Sequence, residues 1–132
     1  MKEIDKVAYI ELNRGKILVA KSKGKNKFYI PGGKREENET DEDTLVREIR
    51  EELNVEIQAN SHEYVGTFSA QAHGHADGVQ VKMTCYKAKY NGTITASSEI
   101  EEIRWVNYGD MDLVSHVDKV IFEYLREKGE LL

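Results

Sequence analysis

Gly33-Lys34-Arg35-Glu36-Glu37-Asn38-Glu39 leads through Thr40 into Asp41-Glu42-Asp43-Thr44-Leu45-Val46-Arg47-Glu48-Ile49-Arg50-Glu51-Glu52-Leu53, and Asn54-Val55 follows. The first part reads as a glycine turn and the second as a helix. Thr40 suits the N-cap, and Asp43 stands three residues on, at capping-box spacing. Asp41, Glu42 and Asp43 fill the first turn, where the helix dipole favours negative charge. Leu45, Ile49 and Leu53 recur every fourth residue as a narrow apolar stripe. Asn54 tolerates the left-handed conformation that ends a helix.

The remaining carboxylates need a second reason. At about 100° per residue, Glu48 and Glu52 lie roughly 40° apart, and Glu51 lies about 60° to the other side of Glu48. Like charges one turn apart repel by a few tenths of a kcal/mol even in water. A hard divalent cation reverses that repulsion, because Mg²⁺ takes oxygen ligands from carboxylates and substrate phosphates. The competing reading is a solvated acidic face, the usual fate of a charge run on a helix.

The rest of the chain bounds the choice. Its 132 residues suit a single domain, 1–132, with a real core. With 39% hydrophobic and 33% charged residues the composition is globular. No run is long enough to span a membrane, and the charged N-terminus carries no secretory signal pattern, so no membrane association is expected. Cys85, the one cysteine, cannot close an internal disulfide; it reads as a small buried residue, and the expected location is cytoplasmic. A net charge of −5 argues against nucleic acid as a partner, since that binding depends on basic residues neutralising phosphates. The acidic balance suits a small-molecule nucleotide only if a metal brings the phosphates to the carboxylates. A homodimer is left open.

Taken in order, residues Val7 to Leu12 read as a strand, Asn13 to Lys16 as a turn, and Ile17 to Ala20 as the return of a hairpin. Lys21 to Lys27 is a basic loop that reads as solvated in preference to a phosphate-attracting rim. Phe28-Tyr29-Ile30 is a short strand entering Pro31-Gly32-Gly33, where the two glycines allow close approach of backbone to a ligand. Beyond the helix, Val55–Ala59 and Tyr64–Ser69 are strand segments. Val79, Val81 and Met83 begin a half-buried strand that runs on to Tyr90, and Asn91-Gly92 marks a tight turn. Ile103–Val106 is another strand, with Trp105 in the core. Ser115 caps a last helix with Asp118 at the capping-box position, and Gly129 closes it. Strands and helices in this order imply a mixed sheet flanked by helices. Within Gln71–Gly78, His73 and His75 could form half of a zinc site, but nothing supplies the missing ligands. The loop reads equally as a connection or as the mouth of a site, with His73 or His75 touching substrate.

The order Gly33, Glu39, Arg47-Glu48-Ile49, Glu51-Glu52 and Val55 resembles the signature of the Nudix hydrolases, which normally has glycine where this chain has Asn54. The match is gapless over 33–55, and Pro31-Gly32 upstream also looks like the family. The resemblance implies an α/β/α sandwich with a mixed β-sheet. It implies metal-dependent hydrolysis of a diphosphate linkage, with Mg²⁺ or Mn²⁺ held by Glu48, Glu51 and Glu52 and the Gly32 carbonyl nearby. Arg47 would position the glutamates, with Glu39 as its partner. The general base is open among Glu48, Glu51 and a downstream glutamate. Of Glu99, Glu101 and Glu102, Glu99 is favoured, also as an extra metal ligand. Ile30, Gly32, Gly33 and His73 are the candidate substrate contacts. Subtype signatures for ADP-ribose, NADH and coenzyme A are missing, which leaves nucleoside triphosphates, including oxidised ones. The alternative is a catalytically silent module that senses a nucleotide.

Overall fold

The computed structural model describes residues 2–72 and 74–132. In chain order the strands are β1 (Lys2–Tyr9), β2 (Leu12–Asn13), β3 (Lys16–Ser22) and β4 (Gly32–Lys34). Helix α1 (Asp41–Leu53) comes next, then β5 (Glu56–Ile57), β6 (Glu63–Gln71), β7 (Val79–Lys87), β8 (Tyr90–Asn91) and β9 (Ile100–Val106). A 3₁₀ turn over Tyr108–Leu113 leads into α2 (His116–Glu127).

The central sheet has the order β4-β1-β7-β6. β1 runs parallel to β7 and antiparallel to β4, so the sheet is mixed, as the sequence implies. β1 is buried on both faces. Val7 and Tyr9 join Leu45, Ile49 and Leu53 of α1 in one core. Ala8 and Ile10 join Ile121, Phe122 and Leu125 of α2 in the other, together with the fully buried Cys85. Period-two alternation in β1 therefore feeds two apolar layers, and a helix covers each. No helix among the described residues is long and apolar enough to cross a membrane.

α1 forms where its sequence places it. Asp43 N–H donates to Thr40 Oγ1 and Thr40 N–H donates to Asp43 Oδ2, both at 3.1 Å, completing the capping box. Asn54 adopts φ 58°, and its N–H donates to the Arg50 carbonyl.

Other expectations are corrected. β1 begins at Lys2 and ends at Tyr9, because β7 holds it from Lys2–Val79 to Tyr9–Tyr86. The hairpin shrinks to Leu12–Ile17 and Asn13–Lys16, and β3 continues against β9 instead. Phe28-Tyr29-Ile30 is not a full strand; it makes bridges from Tyr29 to Ala20 and from Phe28 to Val114. The expected glycine turn is strand β4, paired with Lys6–Ala8. A Cβ on Gly32 would overlap the Val7 carbonyl oxygen, so only glycine lets β4 lie this close to β1. The Val55–Ala59 strand reduces to Glu56–Ile57, and its partner is Tyr90–Asn91, so Asn91-Gly92 closes no hairpin. Trp105 stays 38% exposed because β9 lies at a sheet edge and Ile100 and Val106 take its buried positions. Ser115 Oγ makes no cap bond to the backbone; it donates to Asp118 Oδ2 at 2.9 Å.

Candidate functional site

Glu52, near the end of α1, lines a cavity of about 280 Å³ between the central sheet and the start of α2. Apolar walls come from Ile4, Val81, Met83, Ile100 and Val117. Ile30, Gly32 and Glu52 also line it, so three of the residues singled out from sequence meet in one place.

Glu52 is the most enclosed of the α1 carboxylates. Its Oε1 accepts from the Gly32 N–H at 3.1 Å. Burial pushes its carboxyl up to about 8; the neighbouring Glu48 and Glu51 add to the rise, while the Gly32 bond and Lys6 oppose it. Among the described residues no cation forms an ion pair with Glu52. Glu48 is also raised, again chiefly by burial, with Arg47 opposing. A Cβ on Gly33 would collide with the Glu48 carboxylate, so the glycine there makes room for it. Glu51 is half exposed, 3.8 Å from Arg47 Nη1.

Arg47 is fixed from the other side. Its Nε and Nη2 donate to the two oxygens of Glu39 at 2.8 and 2.9 Å, and Nη2 reaches the Lys34 carbonyl at 3.0 Å. Those bonds hold the Glu39 carboxyl well below its usual range. Glu39 also accepts from Glu36 N–H and the Thr44 hydroxyl, which folds the 36–39 loop onto the helix. Arg47 Nη1 then lies 3.3 Å from Glu48 Oε2. The partnership expected of Glu39 and Arg47 is present.

The downstream glutamates divide clearly. Glu101 pairs with Lys21 and Glu102 with Arg104, both at 2.8 Å. Glu99 is exposed, with a backbone carbonyl that accepts from Lys23. It follows Ser97, whose N–H bonds to the Glu52 carbonyl, and precedes Ile100 in the cavity wall. Among the described residues no three His, Cys, Asp or Glu side chains, the α1 glutamates included, are gathered closely enough to hold a metal ion. His73 lies outside the described residues.

His75, one of the two histidines considered as a substrate contact, lines the cavity, and so do three groups not singled out from sequence, Lys6, Lys25 and Tyr29. Gln71 staples the loop that carries His75, donating to the Ala76 carbonyl at 2.8 Å and accepting from Gly78 N–H. Asp118 is fully buried at the start of α2. It accepts from Ser115 Oγ and from the Ile30 N–H, its Oδ1 has no partner, and burial raises it to about 7. Periodicity gave no signal for Lys6 or Asp118, because their meeting depends on β1 and α2 folding against the same space.

A NUDIX domain model matches residues 4–125. The chain belongs to the Nudix family. It is 27% identical over 96 residues to the uncharacterized Nudix hydrolase YvcI of Bacillus subtilis, a match that covers 73% of this chain and 61% of that protein. The solution structure of the E. coli ORF135 protein superposes with a TM-score of 0.73 at 29% identity, over 96% of this chain and 92% of the other. The MutT protein of Methanosarcina mazei Go1 superposes at 0.77 over 98% and 96%, and at 17% identity it speaks for the Nudix fold alone.

Proposed function

We propose that the protein hydrolyses a diphosphate linkage of a nucleoside triphosphate with the aid of Mg²⁺ or Mn²⁺. The observation that carries this is the pair Glu48 and Glu52. Both carboxyls are raised by burial, Glu52 lines a ligand-sized cavity one turn from Glu48 and beside the exposed Glu51, and no cation pairs with Glu52 among the described residues.

The donors fit a hard divalent ion. They are carboxylate oxygens carried on one stretch of α1; the three are not gathered on a point in this structure, but Glu48 and Glu52 are penalised by burial and by each other, a penalty that a bound cation would relieve. Glu48, Glu51 and Glu52 would hold it, with Glu99 as an added ligand from the loop before β9. A divalent ion bound there neutralises phosphate charge and makes water a stronger nucleophile. The chain's own groups do the aiming. Gly33 leaves space for Glu48, Glu39 locks Arg47, and Arg47 fixes Glu48. Gly32 N–H holds Glu52 in line with the cavity. Glu51 and Glu99 are the carboxylates exposed enough to take a proton from attacking water, and Glu48 is the third candidate for that role. The cavity, with apolar walls interrupted by polar groups, suits a nucleobase whose phosphates would point toward Glu52.

The test is product release from a panel of ordinary and oxidised nucleoside triphosphates with Mg²⁺. Turnover that disappears with chelator and with Glu52→Gln is expected. Tight binding without turnover across the panel would favour a silent nucleotide sensor instead.

A further inference from the structure

Lys6 is out of keeping with its surroundings. It sits in the middle of β1, between Lys34 of β4 and Met83 of β7, and lines the cavity beside Ile4. A strand centre enclosed by the cavity wall is a costly place for an ammonium, and burial lowers its pKa. Among the described residues its Nζ makes no hydrogen bond or ion pair; the nearest aromatic ring, Tyr29, has its centroid 5.8 Å away. The attraction it feels from Asp118, at the α2 end, exceeds that from Glu52 and Glu48. Its place in the cavity wall with Ile4, Tyr29 and Met83 sets the ammonium against whatever fills the cavity. An ammonium has three donors and no acceptor, so the group it serves must carry an acceptor atom.

Resting on the nucleotide reading above, we propose that Lys6 binds substrate by donating a hydrogen bond to an acceptor atom of the nucleobase, a ring carbonyl oxygen or a ring nitrogen. A charged donor half-buried in the cavity wall also discriminates. A ligand that offers no acceptor leaves the ammonium desolvated and unpaired, which is penalised more heavily than a lost contact in water.

The experiment compares wild type, Lys6→Met and Lys6→Gln on two substrates. One is the nucleoside triphosphate that wild type turns over best; the other is the matching sugar 5′-triphosphate with no base. In Lys6→Met the ratio of kcat/KM for the nucleotide to that for the abasic compound is expected to fall about tenfold or more, carried by KM. Lys6→Gln, which keeps a donor, should recover part of the ratio. A loss shared equally by both substrates would assign Lys6 to the phosphates and overturn the proposal, as would an unchanged ratio. Thermal midpoints check folding; removing a half-buried charge should leave them level or higher. Failure of the nucleotide reading shows separately, as wild-type protein that turns over no nucleotide.

Discussion

The two halves of α1 carry similar numbers of acidic residues in opposite circumstances. In the first half every carboxylate with a structural task has a partner. Asp43 closes the capping box, Asp41 meets Arg35 and the Tyr86 hydroxyl, and Glu42 accepts from Asn60 N–H. The Asp41 carboxyl is accordingly lowered. In the second half Glu48 and Glu52 are raised, and Glu52 has one backbone donor and no ion pair among the described residues. Residue type does not distinguish the two sets; compensation does. The first half stabilises the helix; the second holds carboxyls whose ionised form is penalised by burial, a penalty that a bound cation would relieve on the reading proposed above.

The largest effect should come from breaking the second half. Glu52→Gln is expected to lower kcat/KM for the preferred nucleotide by about 100-fold or more. Without metal, the same change should leave the thermal midpoint level or raise it, since it removes a group whose ionised form is disfavoured by burial and keeps the acceptor for Gly32 N–H. A fall in both would turn Glu52 into a structural residue. Arg47→Lys tests the link between halves. Lysine cannot reproduce the two-pronged bond to Glu39, so activity should drop by about tenfold with a modest loss of stability. Steady-state kinetics and a thermal melt read the two together.

Asp118 extends the comparison beyond the helix. Its folded-state value of about 7 lies above the ordinary 3.8. The folded protein therefore holds this proton more tightly than the unfolded chain. Its contribution to stability is complete below about pH 4 and is lost as pH rises through about 7. Asp118→Asn should remove that slope, so the variant gains on wild type between those limits in urea denaturation. A constant difference across the range would contradict the assignment. The smallest effect belongs to the first half of α1: Thr40→Ala should cost about 1 kcal/mol, read in the same denaturation experiment.

Much of this was legible in the chain because it is local. The α1 cap, stripe and left-handed end depend on neighbours within a turn, and the glutamate spacing follows from helical geometry. What could not be read depends on distant partners. Gly32–Lys34 lacks the side chains of a strand, yet β1 accepts it because glycine permits the approach. Asn91-Gly92 has turn chemistry, yet Tyr90–Asn91 is captured by Glu56–Ile57. Ser115 and Asp118 have the same spacing as Thr40 and Asp43, but burial turns their side chains to each other and to Ile30. Lys6 reads as one more charged residue near the N-terminus until β7 and α2 enclose it.

The central claim is that α1 holds its carboxylates for a cation. The direct measurement is calorimetric titration of Mn²⁺ into wild type and into the Glu48→Gln, Glu52→Gln double variant, each in the presence of a non-hydrolysable nucleoside triphosphate analogue. Saturable binding in wild type that disappears in a folded double variant is the predicted result. Equal binding by both proteins would contradict it.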